Sequence, residues 1–255
     1  MESHSTVVPA VPYGRSFSWK GRVVSQINTA TRKFGFELAK VQTMTDEDRD
    51  IGRGWSLNSE TMIGRRRLEQ LHEAMHLVRS EGLKGDFMET GVWRGGASMY
   101  MAAFNRIYNL GRRIIAADSF RGLPSPNPNI EADAGAVWHD FSYLSVSIDD
   151  VKENFETYGR LDDKVIFVPG FFSESLKGFH FEPLSILRLD GDLYESTMDV
   201  LTYAYDAVVP GGFVIVDHYY LENAQRAVSD FLSSRAISVE LHAIDFDAVY
   251  WRKPT

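Results

Sequence analysis

The chain of 255 residues contains no cysteine, fewer basic than acidic residues and no long apolar run. Without cysteine, disulfide bonds, thiolate metal sites and a cysteine nucleophile are excluded, so any metal must be held by carboxylates and histidines. The 27 Lys and Arg against 35 Asp and Glu give a formal net charge of −8. This charge argues against a nucleic-acid partner, because phosphate binding needs a basic surface. No segment has the apolar length of a signal peptide or a membrane span, so we expect a cytoplasmic protein with no membrane partner.

The chain divides into an irregular beginning and a regular remainder. Residues 1–58 are polar, with only a weak helical pattern around Phe34 to Val41, and are predicted to form an arm or lid. Residues 59–255 alternate between strand-like and helical segments and can bury one sizeable core. Residues 122–145, rich in Pro, Asn and Asp, interrupt this alternation and predict a long functional loop inserted after the second strand.

Strands that alternate with helices predict right-handed βαβ units and a parallel sheet. The helical segments run from near Thr61 to Gly82 and over 97–110, 148–158, 195–207 and 221–234. The strand-like segments are GDFMET, RRIIAADSF, KVIFVPGFF, PLSILRLDGD and PGGFVIVDHYY, followed by SVELHAI and AVYWRKP as an antiparallel edge pair. The prediction is an α/β fold with about seven strands.

The first strand leads into a glycine-rich turn, METGVWRGGA. A dinucleotide loop has the pattern G-x-G-x-x-G, but the position two after Gly91 is Trp93, which disfavours close approach of a pyrophosphate. Backbone N–H groups at the following helix N-terminus suit a small carboxylate, and Glu89 can accept from an ammonium group. S-adenosylmethionine carries both groups, and Asp118 at the next strand end is placed to accept from ribose hydroxyls. The alternative is an ordinary turn with a solvated acid.

A second group of polar residues follows the fourth and fifth strands: Asp190, Asp217 and His218. If these strands are adjacent and parallel, their terminal acids lie roughly 5 to 10 Å apart, because neighbouring strands are about 4.8 Å apart. Carboxylate and imidazole ligands with open positions suit Mg²⁺ or another divalent ion. The alternative is two aspartates that cap turns beside a loop histidine.

Other candidates carry weaker patterns. His139 lies in the inserted loop and is a candidate to face substrate, although a lone loop histidine is usually a surface residue. His72 and His76 have helical i, i+4 spacing but lack the Glu of H-E-x-x-H in a usable register, which favours a solvated helix face. The aromatic residues Phe171, Phe172, Phe179 and Phe181 are most simply core, and one of them could stack on an adenine.

At seven motifs the sequence resembles the macrocin, mycinamicin and novobiocin sugar O-methyltransferases. These motifs, in order, are TMIGRRRLEQL, METGVWRGGA, ADSFRGLP, VPGFFSESL, LRLDGDLYESTMDVL, VVPGGFVIVDHY and VYWRKP. The similarity spans about Thr61 to Lys253 and excludes the N-terminal arm. It implies a class I, Rossmann-like methyltransferase fold of seven strands with an antiparallel last strand.

The resemblance also implies site residues. Those implied to bind S-adenosylmethionine are Met62, Glu89, Thr90, Gly91, Arg94, Ser98, Asp118, Ser119, Ser147, Gly170, Phe171, Phe172 and Ser173. Asp190 is the expected general base and a metal ligand, with Asp217 and His218 completing the metal site. His139 and Tyr194 are candidate substrate residues. The family is expected to use Mg²⁺ and to form homo-oligomers, here a dimer or tetramer.

One position departs from the family pattern. The family usually has Asp-Asp at the fifth strand end, whereas this chain has Asp217 and His218. Histidine is a competent ligand, but replacing a carboxylate with a neutral imidazole shifts the metal preference toward softer ions such as Mn²⁺, Ni²⁺ or Zn²⁺.

The function expected from these observations is methyl transfer from S-adenosylmethionine to a divalent-metal-bound hydroxyl of a deoxysugar on a bacterial glycosylated natural product. Two alternatives stay open. One is a metal-dependent O-methyltransferase of a catechol-like phenol, and the other is a non-catalytic S-adenosylmethionine-binding homologue in which His218 has disabled the site. An NAD-dependent dehydrogenase is disfavoured by Trp93.

Overall fold

The computed structural model describes Asp50 and residues 59–255 of the chain. The expected arm or lid over residues 1–58 therefore lies outside the described residues, apart from Asp50. The helices are α1 (Arg65–Ser80), α2 (Gly96–Ile107), α3 (Ile148–Thr157), the short α4 (Phe172–Ser175), α5 (Tyr194–Ala204) and α6 (Glu222–Ser234). The strands are β1 (Asp86–Thr90), β2 (Ile114–Asp118), β3 (Val165–Pro169), β4 (Leu184–Leu189), β5 (Val208–Val216), β6 (His242–Ala243) and β7 (Val249–Arg252).

The seven strands form one sheet in the order β3-β2-β1-β4-β5-β7-β6. Strands β1 to β5 are parallel, whereas β7 pairs antiparallel with both β5 and β6. This confirms the predicted α/β fold with an antiparallel end. The chain order reverses between β1 and β4, and ligands of such sheets bind beyond the carboxyl ends of the strands at that point.

Each face of the sheet is covered by its own helices. Side chains of a strand alternate between faces, so Phe87 packs with α1 and α2 on one side while its neighbour Met88 packs with α5 on the other. Both side chains are fully buried. The strands from β1 to β5 therefore form a rigid base from which their carboxyl ends project the site residues.

Several element boundaries differ from the sequence prediction, among them the start of α1 and the extent of β6. Helix α1 begins at Arg65 rather than near Thr61, because the preceding segment is extended and its Glu60 carbonyl accepts a hydrogen bond from Gly96 N at 2.8 Å. This contact carries Met62 to the carboxyl edge of the sheet. Strand β6 contains only two residues of the predicted SVELHAI run, at the open edge of the sheet where it pairs on one side alone.

The insertion after β2 forms three short 3-10 turns, and hydrogen bonds at Asn127, Asp133 and Tyr143 connect it to the rest of the domain. Asn127 Nδ2 donates to Glu195 Oε1 at 3.2 Å. The Asp133 carboxylate is 1% exposed and accepts from Tyr194 N at 2.7 Å and Glu195 N at 3.1 Å, at the start of α5. It also accepts from the Asn223 amide at 3.2 Å. Near the other end of the insertion, Trp93 Nε1 donates to the Tyr143 carbonyl at 2.9 Å.

Candidate active site

A cavity of about 590 Å³ lies at the carboxyl ends of β1, β2, β4 and β5. Ten of the residues predicted from the sequence line it: Met62, Glu89, Gly91, Asp118, Ser119, Phe171, Phe172, Ser173, Asp190 and His218. The inserted loop contributes Leu123, Trp138 and Tyr143 to the cavity lining, and Tyr220 and Phe246, whose rings lie 6.1 Å apart, line it as well. The cavity thus combines a polar floor with aromatic and apolar sides.

The turn after β1 passes very close to the end of β4. Gly91 has φ +82°, and a Cβ atom there would lie 1.8 Å from the Asp190 carbonyl oxygen, so only glycine fits. Trp93 also has a positive φ, and its indole bonds to the inserted loop instead of filling the turn. The tryptophan that interrupts the dinucleotide pattern therefore connects the turn to the cavity wall.

Asp118 shapes this turn from the end of β2. One carboxylate oxygen accepts from Val92 N at 2.7 Å and Trp93 N at 3.3 Å, and the other accepts from Phe120 N at 2.7 Å. Burial raises the pKa of Asp118, and these backbone hydrogen bonds oppose the rise. Asp118 is also among the residues that line the cavity.

Glu89 ends β1 with its side chain buried among polar partners. It is 2% exposed, and its two oxygens make close contacts with the Arg188 guanidinium and the Ser98 hydroxyl. Burial raises the pKa of Glu89 to about 7, although the Arg188 charge and the Ser98 hydrogen bond lower it. This carboxyl group can therefore exchange its proton near neutral pH.

Other predicted residues lie behind the cavity surface. Thr90 Oγ1 donates to the Arg188 carbonyl at 3.3 Å, and Arg94 Nη1 donates to the Ser59 carbonyl at 3.0 Å. Ser147 caps α3 in a reciprocal pair with Asp150. Gly170 N donates to the Asp118 carbonyl at 2.9 Å. These contacts support the walls of the site.

The two candidate substrate residues point to other partners. The Tyr194 hydroxyl donates to Asp230 at 3.1 Å, and His139 Nε2 lies 3.5 Å from the Asp140 carboxylate. Neither is among the residues that line the cavity. His72 and His76 are half-buried and pack edge to edge beside Phe104 of α2, with His72 Nδ1 2.8 Å from the Tyr100 hydroxyl, so they lie in a helix–helix contact and not on the solvated face that the sequence predicted.

Among the described residues, Asp190, Asp192 and His218 form a group whose ligand atoms all lie within 4.8 Å of one another. His218 Nε2 is 3.5 Å from Asp190 Oδ1 and 3.6 Å from Asp192 Oδ1. The Asp192 Oδ1 atom is buried and has no hydrogen-bond partner. An orphaned carboxylate oxygen beside a second carboxylate and an imidazole nitrogen fits a divalent cation.

Asp217 has a different position from the one predicted. It continues the ladder beyond β5, with its N–H donating to the Leu189 carbonyl at 2.9 Å, and its side chain is buried beneath the group. There it contacts the Arg188 guanidinium closely and lies 3.7 Å from Arg67 Nη1. The structure therefore brings Asp192, rather than Asp217, together with Asp190 and His218.

Arg188 connects the two parts of the site. This residue of β4 is 2% exposed and contacts Glu89, Asp190 and Asp217, the second at 3.0 Å. The sequence analysis did not predict a role for Arg188. An arginine inside the largely apolar strand LSILRL does indicate a buried ion pair, because buried arginines are rare unless paired. Arg67, which pairs with Asp245 and Asp247 at 2.8 Å each, was missed as well.

The environment of His218 and Asp192 is strongly charged. Burial would lower the pKa of His218, but the carboxylates of Asp192, Asp247 and Asp190 together raise it to about 10. Burial raises the pKa of Asp192 to about 6, against the lowering effect of the His218 charge. Without a bound cation, the imidazolium form of His218 balances part of the surrounding negative charge.

Comparisons with known proteins agree with this architecture. The model of the macrocin-O-methyltransferase (TylF) family matches residues 14–253, and so begins well before Thr61, where the motif resemblance begins. A tetracenomycin-C rhamnosyl 4'-O-methyltransferase of Streptomyces olivaceus is 41% identical over 213 residues, covering 81% of this chain and 80% of the relative. The mycinamicin III 3''-O-methyltransferase of Micromonospora griseorubida is 39% identical, covering 82% of this chain and 84% of the relative.

Solved structures agree as well. The O-methyltransferase NovP superposes with a TM-score of 0.80 at 39% identity, covering 83% of this chain and 89% of its own. The calicheamicin methyltransferase CalS11, at 20% identity and a TM-score of 0.59, shares the fold, covering 92% of this chain and 93% of its own. No helix within residues 59–255 is long and apolar enough to cross a membrane. The family-model match over residues 14–253 and these relatives show that the chain belongs to the macrocin-O-methyltransferase family.

Proposed function

We propose that the protein transfers a methyl group from S-adenosylmethionine to a hydroxyl of a deoxysugar on a bacterial glycosylated natural product, assisted by a divalent cation. The observation that carries this proposal is the placement of Asp190, Asp192 and His218 in the same cavity as the Glu89 turn. The relatives named above methylate rhamnosyl and mycinamicin substrates, which supports a sugar acceptor.

The turn after β1 is the proposed site for the methionine portion of the methyl donor. Glu89 accepts from the ammonium group, and the N-terminal turn of α2, whose Ala97 lines the cavity, lies beside the carboxylate. Asp118 accepts from the ribose, with Phe171 and Phe172 beside the adenine and Met62 near the sulfonium. These residues all line the cavity. Together they fix the donor, so that catalysis depends mainly on the approach of the acceptor.

The group formed by Asp190, Asp192 and His218, called the acidic group below, is the proposed site of the acceptor hydroxyl. A divalent cation, when bound, supplies positive charge that lowers the pKa of this hydroxyl and fixes its orientation. Asp190 and His218 would hold the cation, and Asp192, the third member of the group, would lie beside the bound hydroxyl as a proton acceptor. The aromatic walls contributed by Trp138 and Tyr143 exclude water from the reacting atoms.

Two carboxylates can take the proton as the methyl group is transferred. Asp190 is the residue expected from the sequence, but its Oδ2 accepts from Arg188 at 3.0 Å, and an arginine partner weakens a base. Asp192 has an oxygen with no hydrogen-bond partner. We therefore assign the proton to Asp192, with Asp190 holding the cation.

The test is a methyl-transfer assay with isotope-labelled S-adenosylmethionine. Glycosides of a macrolide, an aminocoumarin and an enediyne are compared with a vicinal diphenol, and the product is located by mass spectrometry. Transfer to a sugar hydroxyl that stops in exhaustive chelator and returns with Mg²⁺ or Mn²⁺ is the expected result. Transfer to the diphenol alone contradicts the sugar acceptor. Full turnover in chelator contradicts the role of the cation, and cofactor binding without any turnover favours the non-catalytic alternative.

A further inference from the structure

His218 is held at one of its two ring nitrogens. Its Nδ1 lies 3.0 Å from Asp247 Oδ2, while Nε2 faces Asp190 and Asp192. An ionised carboxylate only accepts hydrogen bonds, so Nδ1 carries a proton and donates to Asp247. The contact therefore fixes both the orientation of the ring and the nitrogen that is presented to the acidic group.

Asp247 is itself fixed by the loop between β6 and β7. It is 4% exposed, and the oxygen that faces His218 also accepts from Arg67 Nη2 at 2.8 Å. Asp245 Oδ2 accepts from Arg67 Nε at 2.8 Å, and Asp245 Oδ1 accepts from Asp247 N at 2.9 Å. Asp245 and Asp247 of this loop thus both form ion pairs with Arg67 of α1, and these contacts fix the position of the Asp247 carboxylate.

The backbone conformation and the partial exposure of His218 are further features of this position. Its φ of +54° lies in the left-handed region, which favours glycine over residues with a side chain. The side chain is 35% exposed and so is not held by packing alone. The hydrogen bond to Asp247 supplies the missing constraint on the ring.

We propose that Asp247 is a positioning residue that holds His218 with Nε2 directed at Asp190 and Asp192, where it serves as a ligand to the divalent cation. The inference rests on the cation site of the proposed function. Outer carboxylates that accept from a ligand histidine orient the ring and increase its basicity as a ligand.

The experiment measures Mn²⁺ binding to the full-length protein by electron paramagnetic resonance, in a double-mutant cycle. Asp247→Ala is expected to weaken Mn²⁺ affinity by about 10- to 100-fold, the usual effect of losing such an outer partner. Asp247→Asn can still accept from Nδ1 and is expected to recover part of the loss. Nitrogen modulation of the Mn²⁺ spin echo, which reports a bound imidazole, is expected in wild type and reduced in Asp247→Ala.

The second half of the cycle tests whether Asp247 acts by orienting the His218 ring or by stabilising the β6–β7 loop. His218→Asp supplies a ligand without a ring to orient, so adding Asp247→Ala to it is expected to change affinity by less than about threefold, within the additivity error of independent sites. An equal loss in both backgrounds would show that Asp247 acts through Arg67 or loop stability, and would overturn the proposal. If Asp247→Ala does not fold, as judged by circular dichroism, the Asp247→Asn cycle decides.

The outcomes also separate this inference from the proposed function. Absence of Mn²⁺ binding or of the nitrogen modulation in wild type overturns the inference, even if sugar methylation is observed in chelator. Conversely, Asp247-dependent Mn²⁺ binding supports the inference even if every sugar acceptor is inactive.

Discussion

The two ends of the cavity are built differently. The proposed donor end, around Glu89 and Asp118, is formed by short segments at the ends of neighbouring strands. Asp118 accepts from backbone N–H groups of the turn after β1, and Glu89 contacts the side chains of Ser98 and Arg188. The acceptor end is a network of charged side chains from α1, β4, the end of β5 and the β6–β7 loop. A local turn can be recognised in the sequence, whereas a network drawn from distant segments becomes visible only when they are folded.

Because the two ends are built from different residues, we expect substitutions at one end to leave ligand binding at the other end nearly unchanged. Asp192→Asn at the acceptor end should lower kcat by about 10²- to 10⁴-fold, because the proton acceptor is lost. Binding of S-adenosylhomocysteine, measured by calorimetry, should stay within about twofold of wild type. Asp190→Asn is the matched variant and should mainly weaken Mn²⁺ binding. A larger kcat loss in Asp190→Asn than in Asp192→Asn at saturating metal would assign the proton to Asp190 instead.

Arg188 joins the two ends, so its loss should affect both. Arg188→Met leaves the carboxylates of Glu89, Asp190 and Asp217 without their shared cation. Breaking a buried ion pair from one side costs about 3 to 5 kcal/mol in the free energy of unfolding, measurable by urea denaturation.

Arg113→Met is the control for this measurement. Arg113 pairs with Asp86 at 2.7 Å, and its side chain is 32% exposed. A partly exposed pair of this kind should cost about 1 kcal/mol or less. Equal losses in the two arginine variants would show that Arg188 does not hold the network together.

Glu89→Gln should damage the donor end alone. The charge-assisted hydrogen bond to an ammonium group is worth about 1.5 to 3 kcal/mol, so affinity for S-adenosylmethionine should fall by roughly 10- to 150-fold. Mn²⁺ affinity should change little, because Glu89 is not among the grouped ligands. A parallel loss of Mn²⁺ binding would mean that the two ends are coupled through Arg188.

The smallest expected effect is on the pH dependence of stability. The pKa of Glu89 is raised from 4.5 to about 7 in the folded protein, so the folded state binds the proton more tightly than the unfolded state. Its contribution to stability is full below pH 4.5 and is lost as pH rises through about 7. Asp192, whose pKa is raised to about 6, titrates in the same range in both proteins, so urea unfolding at intervals across it should show a decline in wild type that exceeds the decline in Glu89→Gln by about 1 to 3 kcal/mol. The same decline in both proteins would assign it to another group.

The extent of sequence prediction follows the same division. The strands, the antiparallel end and the acids at strand ends were predicted correctly, because they depend on local hydrophobic patterns and on which residue follows each strand. Local sequence patterns could not predict that Asp192, and not Asp217, joins Asp190 and His218. Asp217 still follows the alternation of the sheet, and its side chain points beneath the site. Asp192 lies in the loop two residues past Asp190, and its own φ of +59° directs its side chain toward Asp190 and His218.

Arg67 and Asp247 mark the limit of such reasoning. Arg67 belongs to a run of three arginines in α1, and only the fold distinguishes the one that is 5% exposed from its neighbours. The pair Asp245 and Asp247 was predicted to make a tight turn, and it does lie in the β6–β7 loop. That this loop reaches the cavity depends on the pairing of β7 with β5, which places it beside the end of β5.

The anchoring of the inserted loop has a practical consequence for engineering. Because Asp133 caps α5 and the Tyr143 carbonyl accepts from Trp93, the segments on either side of Asp133 are short spans between fixed points. Such spans can be exchanged or randomised one at a time while the anchors keep the ends in register. A library that keeps Asn127 and varies the other residues of 123–132 and 134–142 would therefore change the cavity wall contributed by the insertion without substituting Glu89, Asp190, Asp192 or His218. If the proposed function is correct, this loop is the place to change the choice of glycoside.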